Sequence, residues 1–119
     1  MRRREFERLV ARALEGLPDI FKERLEDVVV IIEDWPAQEL LDDLGMAEDE
    51  TLMGYYEGTP LTDFGRDYSM RLPDRIYVFK GPIEEACDTP AEVEEEIRKT
   101  VMHEVGHFFG LSEDEVEHL

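Results

Sequence analysis

Two histidines four residues apart, with a glutamate directly after the first, are the residues of this chain best suited to chemistry: His103-Glu104-Val105-Gly106-His107. On a helix, positions i and i+4 lie one turn apart on one face, so both imidazoles reach a single cation while Glu104 projects beside them. This is the HExxH zinc pattern, and His103 and His107 are the expected metal ligands. Three protein ligands leave a fourth position for water, whose pKa falls to about 7 on zinc. Glu104 is the expected general base, taking a proton from that zinc-bound water and passing it to a leaving amine while the cation polarises the scissile carbonyl. The expected reaction is peptide-bond hydrolysis on a peptide or protein substrate. Tyr55, Tyr56, Tyr77 and His118 are candidates for an assisting electrophile, and nothing in the sequence ranks them.

Such a motif needs a helix to hold it, and both helix ends are written in the sequence. Thr89-Pro90-Ala91-Glu92 combines an N-cap threonine, a proline at the first helical position and a capping-box glutamate. Val93, Ile97, Val101 and Phe108 recur at helical spacing, and the pairs Glu94/Arg98 and Glu95/Lys99 stand four apart. Thr89 to Phe109 therefore reads as one long amphipathic helix. Gly110 is placed to take the left-handed conformation that reverses the chain toward the metal. Beyond it, Ser112 with Glu115 has the form of a second capping box, which places Glu113 and Asp114 in the first turn of a short terminal helix.

Read through to its end, His103-Glu104-x-x-His107-x-x-Gly110-x-x-Glu113 resembles the extended metzincin-type motif HExxHxxGxxH/D, with a glutamate in the third-ligand slot. The likeness implies Glu113 as third zinc ligand, with Asp114, Glu117 and His118 as alternatives. No Met-turn follows, since all five methionines precede His103. In this the chain is similar to the small bacterial zincin-like metallopeptidases, compact proteins whose HExxHxxGxxD/E motif sits close to the C-terminus. That resemblance implies an α+β fold, a zincin-like single domain over residues 1–119 with a small mixed β-sheet packed on helices. It also implies substrate bound as an added strand at the sheet edge, a mode in which backbone pairing gives affinity with little sequence selection.

The remaining elements fit that plan. Arg2 to Gly16 carries Phe6, Leu9, Val10, Ala13 and Leu14 at helical intervals, and a short second helix is expected over Pro18 to Leu25. Val28 to Ile32 is an unbroken β-branched run, expected to be a buried strand ended by Glu33 and Asp34. Pro36 to Leu44 reads as a short helix closed by Gly45, and Thr51 to Glu57 and Arg75 to Lys80 as two more strands, either of which could line the cleft. The long connection from Gly58 to Pro73 is expected to border it. Trp35 reads as a core or loop anchor, and Gly106 as a helix position that serves either the close approach of a strand or substrate or simple helix packing.

Charge narrows the partners. With 31 acidic against 13 basic residues the net charge is -18, which argues against nucleic acid and anionic membranes. The run Arg2-Arg3-Arg4 is helix-borne and followed by acids, so it reads as a solvated face. No apolar run reaches membrane-spanning length, and a cytoplasmic location is expected. Cys87 is the only cysteine, which fits a reducing compartment. It stands roughly 24 Å from the motif if helix separates them, too far to bind the metal. The absence of asparagine, a single glutamine and 37% charged residues suggest a thermophilic source. Two functions remain on the sequence alone: a zinc-dependent metallopeptidase, or a non-catalytic metal-binding interaction module that needs the ligands but has no use for Glu104.

Overall fold

The computed structural model describes residues 1–47, 51–58, 73–112 and 114–115. Its elements are α1 (Arg3–Glu15), α2 (Asp19–Lys22), a 3-10 turn (Leu25–Asp27), β1 (Val28–Glu33), α3 (Gln38–Asp43), β2 (Gly54–Glu57), β3 (Asp74–Phe79), α4 (Lys80–Glu85) and α5 (Pro90–Phe108). The arrangement is α+β, with a three-stranded mixed sheet and the HExxH motif on the long helix α5.

Helix α5 begins and ends as its sequence dictates. Thr89 Oγ1 accepts a hydrogen bond from the Glu92 amide at 3.2 Å, and Pro90 occupies the first turn, where its missing N–H costs nothing. The Glu92 carboxylate reaches one residue further than a standard capping box and accepts from the Asp88 amide at 3.0 Å. At the other end Gly110 has φ +79°. Its amide donates to the His107 carbonyl and the Leu111 amide donates to the Gly106 carbonyl, the paired bonds of a Schellman stop. Between these ends Val93, Ile97, Val101, Val105 and Phe108 form a buried stripe. The first four of these pack with Phe6 and Val10 of α1, Ile76 and Val78 of β3, and Ile83 of α4 to make the core.

The sheet order is β1-β3-β2, with β1 parallel and β2 antiparallel to β3. The central strand β3 is the buried one, and Ile76 and Val78 have no exposed surface. The expectation that Val28 to Ile32 forms a buried strand is therefore corrected. β1 is an edge strand with no fully buried residue, and Val29 is 47% exposed. Its β-branched residues divide by pleat: Val28, Val30 and Ile32 pack against the core, while Val29 and Ile31 point to the other face. Arg3 is more than a solvated charge, because its guanidinium donates to the Ile32 carbonyl at 2.5 Å and pairs with Asp34 at 3.6 Å, closing one end of that edge.

Helix α4, which starts without an intervening loop at the end of β3, is not expected from Lys80-Gly81-Pro82. Proline sits in its first turn, and glycine is required where it is. A Cβ on Gly81 would fall 2.4 Å from the Trp35 ring and 2.7 Å from the Asp34 carbonyl oxygen. Trp35 is thus a loop anchor laid on the α4 backbone rather than a core residue, with 54% of its surface exposed.

Candidate metal centre and cleft

Helix α5 brings the two histidines together as their spacing requires. His103 Nε2 and His107 Nε2 stand 3.1 Å apart, with ring planes at 78°. Two zinc–nitrogen bonds of about 2.0–2.1 Å at near-tetrahedral angles set their nitrogens roughly 3.3 Å apart, so the pair fits one zinc with only a slight adjustment. Both rings are half-buried, a position reachable by solvent and by a ligand.

Glu104 lies between helix and sheet, with 7% of its surface exposed. The strand beside it is β2, and the residue that permits the close approach is Gly54. A Cβ there would stand 2.6 Å from Thr100 Cγ2, 3.1 Å from the Tyr77 carbonyl oxygen and 3.2 Å from Glu104 Cγ. Any side chain at this position would push the strand away from the HExxH motif.

The sheet order settles which strand lines the cleft. β3 is central, so β2, within the expected Thr51 to Glu57 segment, supplies the edge. The Phe79 amide donates to the Met53 carbonyl at 2.9 Å, and the register Gly54↔Val78 makes Met53 and Phe79 opposite residues. In an antiparallel ladder, hydrogen-bonded pairs alternate with non-bonded ones. Tyr55 and Glu57 therefore direct their amides to β3, while Gly54 and Tyr56 direct theirs away from it. The outward amide and carbonyl of Gly54 thus lie alongside Glu104, on a side of β2 where no further strand pairs among the described residues.

Two hollows share this edge. One of about 440 Å³ is lined by Leu44, Leu52, Leu111, Tyr55 and Tyr56 together with His103, Glu104 and His107. The other, about 330 Å³, is lined by Thr51, Met53, Glu96, Lys99 and Thr100. Leu52, Gly54, His103 and Glu104 border both, so a single groove runs along β2 with the motif at its middle.

The tyrosines are sorted by the pleat. Tyr77 projects from the sheet face opposite Gly54 and α5, so it is not brought to the histidines; it lies 6.4 Å from the Tyr55 ring instead. Tyr56 shares the face of Gly54, lies 6.2 Å from the Phe108 ring and donates its hydroxyl to the buried Asp74 carboxyl at 2.5 Å.

The zincin-like metallopeptidase family model matches residues 25–119. The chain belongs to that family. A similar solved structure is a conserved hypothetical protein from Thermo thermophilus, at 26% identity and TM-score 0.59, covering 90% of this chain and 92% of that one. No curated protein matches the chain. Membership of the zincin-like metallopeptidases makes a peptidase with zinc the coarse expectation for the HExxH helix described above.

The third ligand is less complete. Ser112 does cap a terminal turn: its amide donates to the Glu115 carboxylate, and the Glu115 amide donates to Ser112 Oγ, each at 3.2 Å. Glu113, Glu117 and His118 lie outside the described residues. Asp114 is exposed, and among the described residues no three His, Cys, Asp or Glu side chains converge as a metal-binding group. Cys87 borders a separate hollow with Asp88, Pro90 and Val93 at the start of α5. Burial, and then the Glu96, Glu92 and Asp88 carboxylates, push its thiol above the usual range.

Sequence reasoning missed Gly54, Thr100 and the leucines of the cleft. Gly54 carried a usable signal, because glycine inside a strand pattern marks a close backbone approach. Leu44, Leu52 and Leu111 carried none, since they come from three separated segments that only the folded chain assembles.

Proposed function

We propose that this chain is a zinc-dependent metallopeptidase in which His103 and His107 hold the metal, Glu113 completes the site, and Glu104 is the general base acting on peptide segments in the cytoplasm. The observation that carries this reading is the pair of converging Nε2 atoms, 3.1 Å apart, with a buried glutamate between the helix and the sheet edge. A bound zinc would supply a Lewis acid for the scissile carbonyl and a water acidified to a pKa near 7. Glu104 receives the proton of the attacking water on a carboxylate oxygen and returns it to the departing amine. The outward amide and carbonyl of Gly54 pair with the peptide backbone and fix its reacting bond against Glu104, an orientation effect realised without recognising sequence.

The interaction-module reading is less well supported. Holding a metal requires only ligands, whereas here β2 carries a glycine where Glu104 Cγ and Thr100 Cγ2 leave no room for a side chain. A strand pressed onto a general base suits turnover.

The test begins with metal content of protein dialysed against zinc, beside a His103→Ala/His107→Ala variant. About one zinc per chain, lost in the variant, is expected. Zinc-loaded Glu104→Gln should then keep its metal and lose peptide hydrolysis by about 10²–10⁴-fold. Absence of zinc from the unaltered protein, or full activity in Glu104→Gln, would overturn the mechanism.

A further inference from the structure

Two carboxyl side chains are buried among the described residues, Glu104 and Asp74, and peptide hydrolysis employs only the first. Asp74 opens β3, is 1% exposed, and lies on the sheet face of Ile76 and Val78, toward α5. A buried carboxyl is costly unless it is hydrogen-bonded, so what it bonds shows what it holds. The end of β2 closes over it twice. The Tyr56 hydroxyl donates to Asp74 Oδ2 at 2.5 Å, and Gly58, at φ +152°, brings its backbone so near that a Cβ there would overlap the carboxyl. Ile76 is the residue opposite Tyr56, which makes Asp74 its diagonal neighbour, a span that a tyrosine side chain reaches.

We infer that Asp74 is a positioning residue for peptide binding: through the Tyr56 hydroxyl it fixes the outer of the two rungs of β2 that pair with substrate. This rests on the peptidase reading above. Within β2 only Gly54 and Tyr56 turn their amide and carbonyl away from β3, so an added peptide strand pairs with these two. Gly54 is held by its close packing on Thr100 and Glu104. Tyr56 stands near the end of a four-residue edge strand, where a ladder frays most easily. Its ring packs edge-on to Phe108 and borders the hollow that holds His103, Glu104 and His107, and its hydroxyl is tied to Asp74. Asp74 can serve as the anchor because β3 is paired on both sides, with Val28 of β1 directly opposite Asp74. The bond therefore ties the outer rung of the edge to the most constrained strand of the sheet. The reacting bond lies by Glu104, beside the Gly54 rung, so the Tyr56 rung contributes alike to ground-state and transition-state binding and its loosening is read in KM.

The test compares Tyr56→Phe, which keeps the ring and deletes the bond, with Asp74→Asn, which keeps an acceptor oxygen, and Asp74→Leu, which does not. The probe is a labelled pool of randomised octapeptides. With zinc-loaded protein, Tyr56→Phe and Asp74→Leu should raise the apparent KM about tenfold with kcat within about twofold, and Asp74→Asn should stay within about threefold of the parent. A bond that only stabilises the fold would lower the folded fraction, reducing kcat per total enzyme at unchanged KM, and that result overturns the positioning role. So does an Asp74→Asn protein as impaired in KM as Tyr56→Phe. If Asp74→Leu does not fold, the other two variants decide. Anisotropy with the same pool, in a Glu104→Gln background that binds without cutting, should show the same roughly tenfold loss of affinity for Tyr56→Phe. Hydrolysis with unchanged KM in Tyr56→Phe sinks the positioning role and keeps the peptidase; the affinity loss without hydrolysis by any of the proteins keeps the positioning role and sinks the peptidase. Neither binding nor hydrolysis of the pool overturns both.

Discussion

Replacing Gly54 with alanine tests whether the contact between β2 and α5 positions the site. The added Cβ would lie 2.6 Å from Thr100 Cγ2, a separation that real side chains do not tolerate, and 3.2 Å from Glu104 Cγ. Thr100 is a buried β-branched helix residue with 7% exposure, so its methyl has little freedom to swing aside. The Tyr77 carbonyl oxygen at 3.1 Å blocks retreat along the sheet. Something on the scale of an ångström must shift, at a cost of about 1–3 kcal/mol for an overpacked contact. The same shift moves the outward amide of Gly54 relative to Glu104, and a misplacement of about 1 Å can lower turnover by about 10²-fold. Thr100→Ala removes the closest obstructing atom, so the double variant should recover part of both losses, with a coupling of about 1 kcal/mol or more in a double-mutant cycle. Urea denaturation of the four proteins reads stability, and peptide hydrolysis by the zinc-loaded forms reads geometry. A Gly54→Ala protein as stable and as active as its parent, or strictly additive effects with Thr100→Ala, would refute the idea that this glycine sets the approach.

Three further outcomes are expected. Thr89→Ala, which deletes the acceptor for the Glu92 amide at the start of α5, should cost about 1 kcal/mol in denaturation while leaving zinc binding intact; loss of zinc would show that fraying at the start of α5 reaches the motif. Gly110→Ala places a side chain at φ +79°, so it should cost about 1–2 kcal/mol and weaken zinc affinity if the reversal after α5 delivers the third ligand, as titration against a chelating indicator would report. The Cys87 thiol is pushed upward by burial and by the Glu96, Glu92 and Asp88 carboxylates, so in folded protein it stays protonated at pH values where an exposed cysteine of pKa about 8.5 is half ionised. Its reaction with a disulfide reagent at a pH of about 8.5 should be slower in buffer than in urea, and equal rates would contradict the burial.

Local signals were legible and assembled ones were not. α5 could be bounded within a residue because a threonine cap, a first-turn proline, an apolar stripe and a stopping glycine are all properties of one contiguous segment. The ligand pair was legible for the same reason, since i and i+4 need no tertiary information. The β-branched run at β1 gave the strand but not its burial. Val28 to Ile32 has the composition of a central strand, and only the order β1-β3-β2 shows that β3 takes that place. α4 was hidden by Gly81-Pro82, a pair that ordinarily punctuates a chain; here it opens a six-residue helix because Trp35 needs the space that glycine leaves.

Two strands competed on the sequence to flank the motif, and the chain did contain a means of choosing. β3, with Tyr77 and Phe79 among its side chains, presents a large residue at almost every position, whereas β2 opens with a glycine. A strand that must lie against a helix bearing both β-branched Thr100 and Glu104 requires one position without a side chain on the facing side. Gly54 is the only residue in either strand that meets this condition. The same requirement explains how an edge strand comes to support a site. Its outward backbone groups are turned away from β3 by the ladder's alternation, and those of Gly54 stand beside Glu104 because the missing side chain lets them approach.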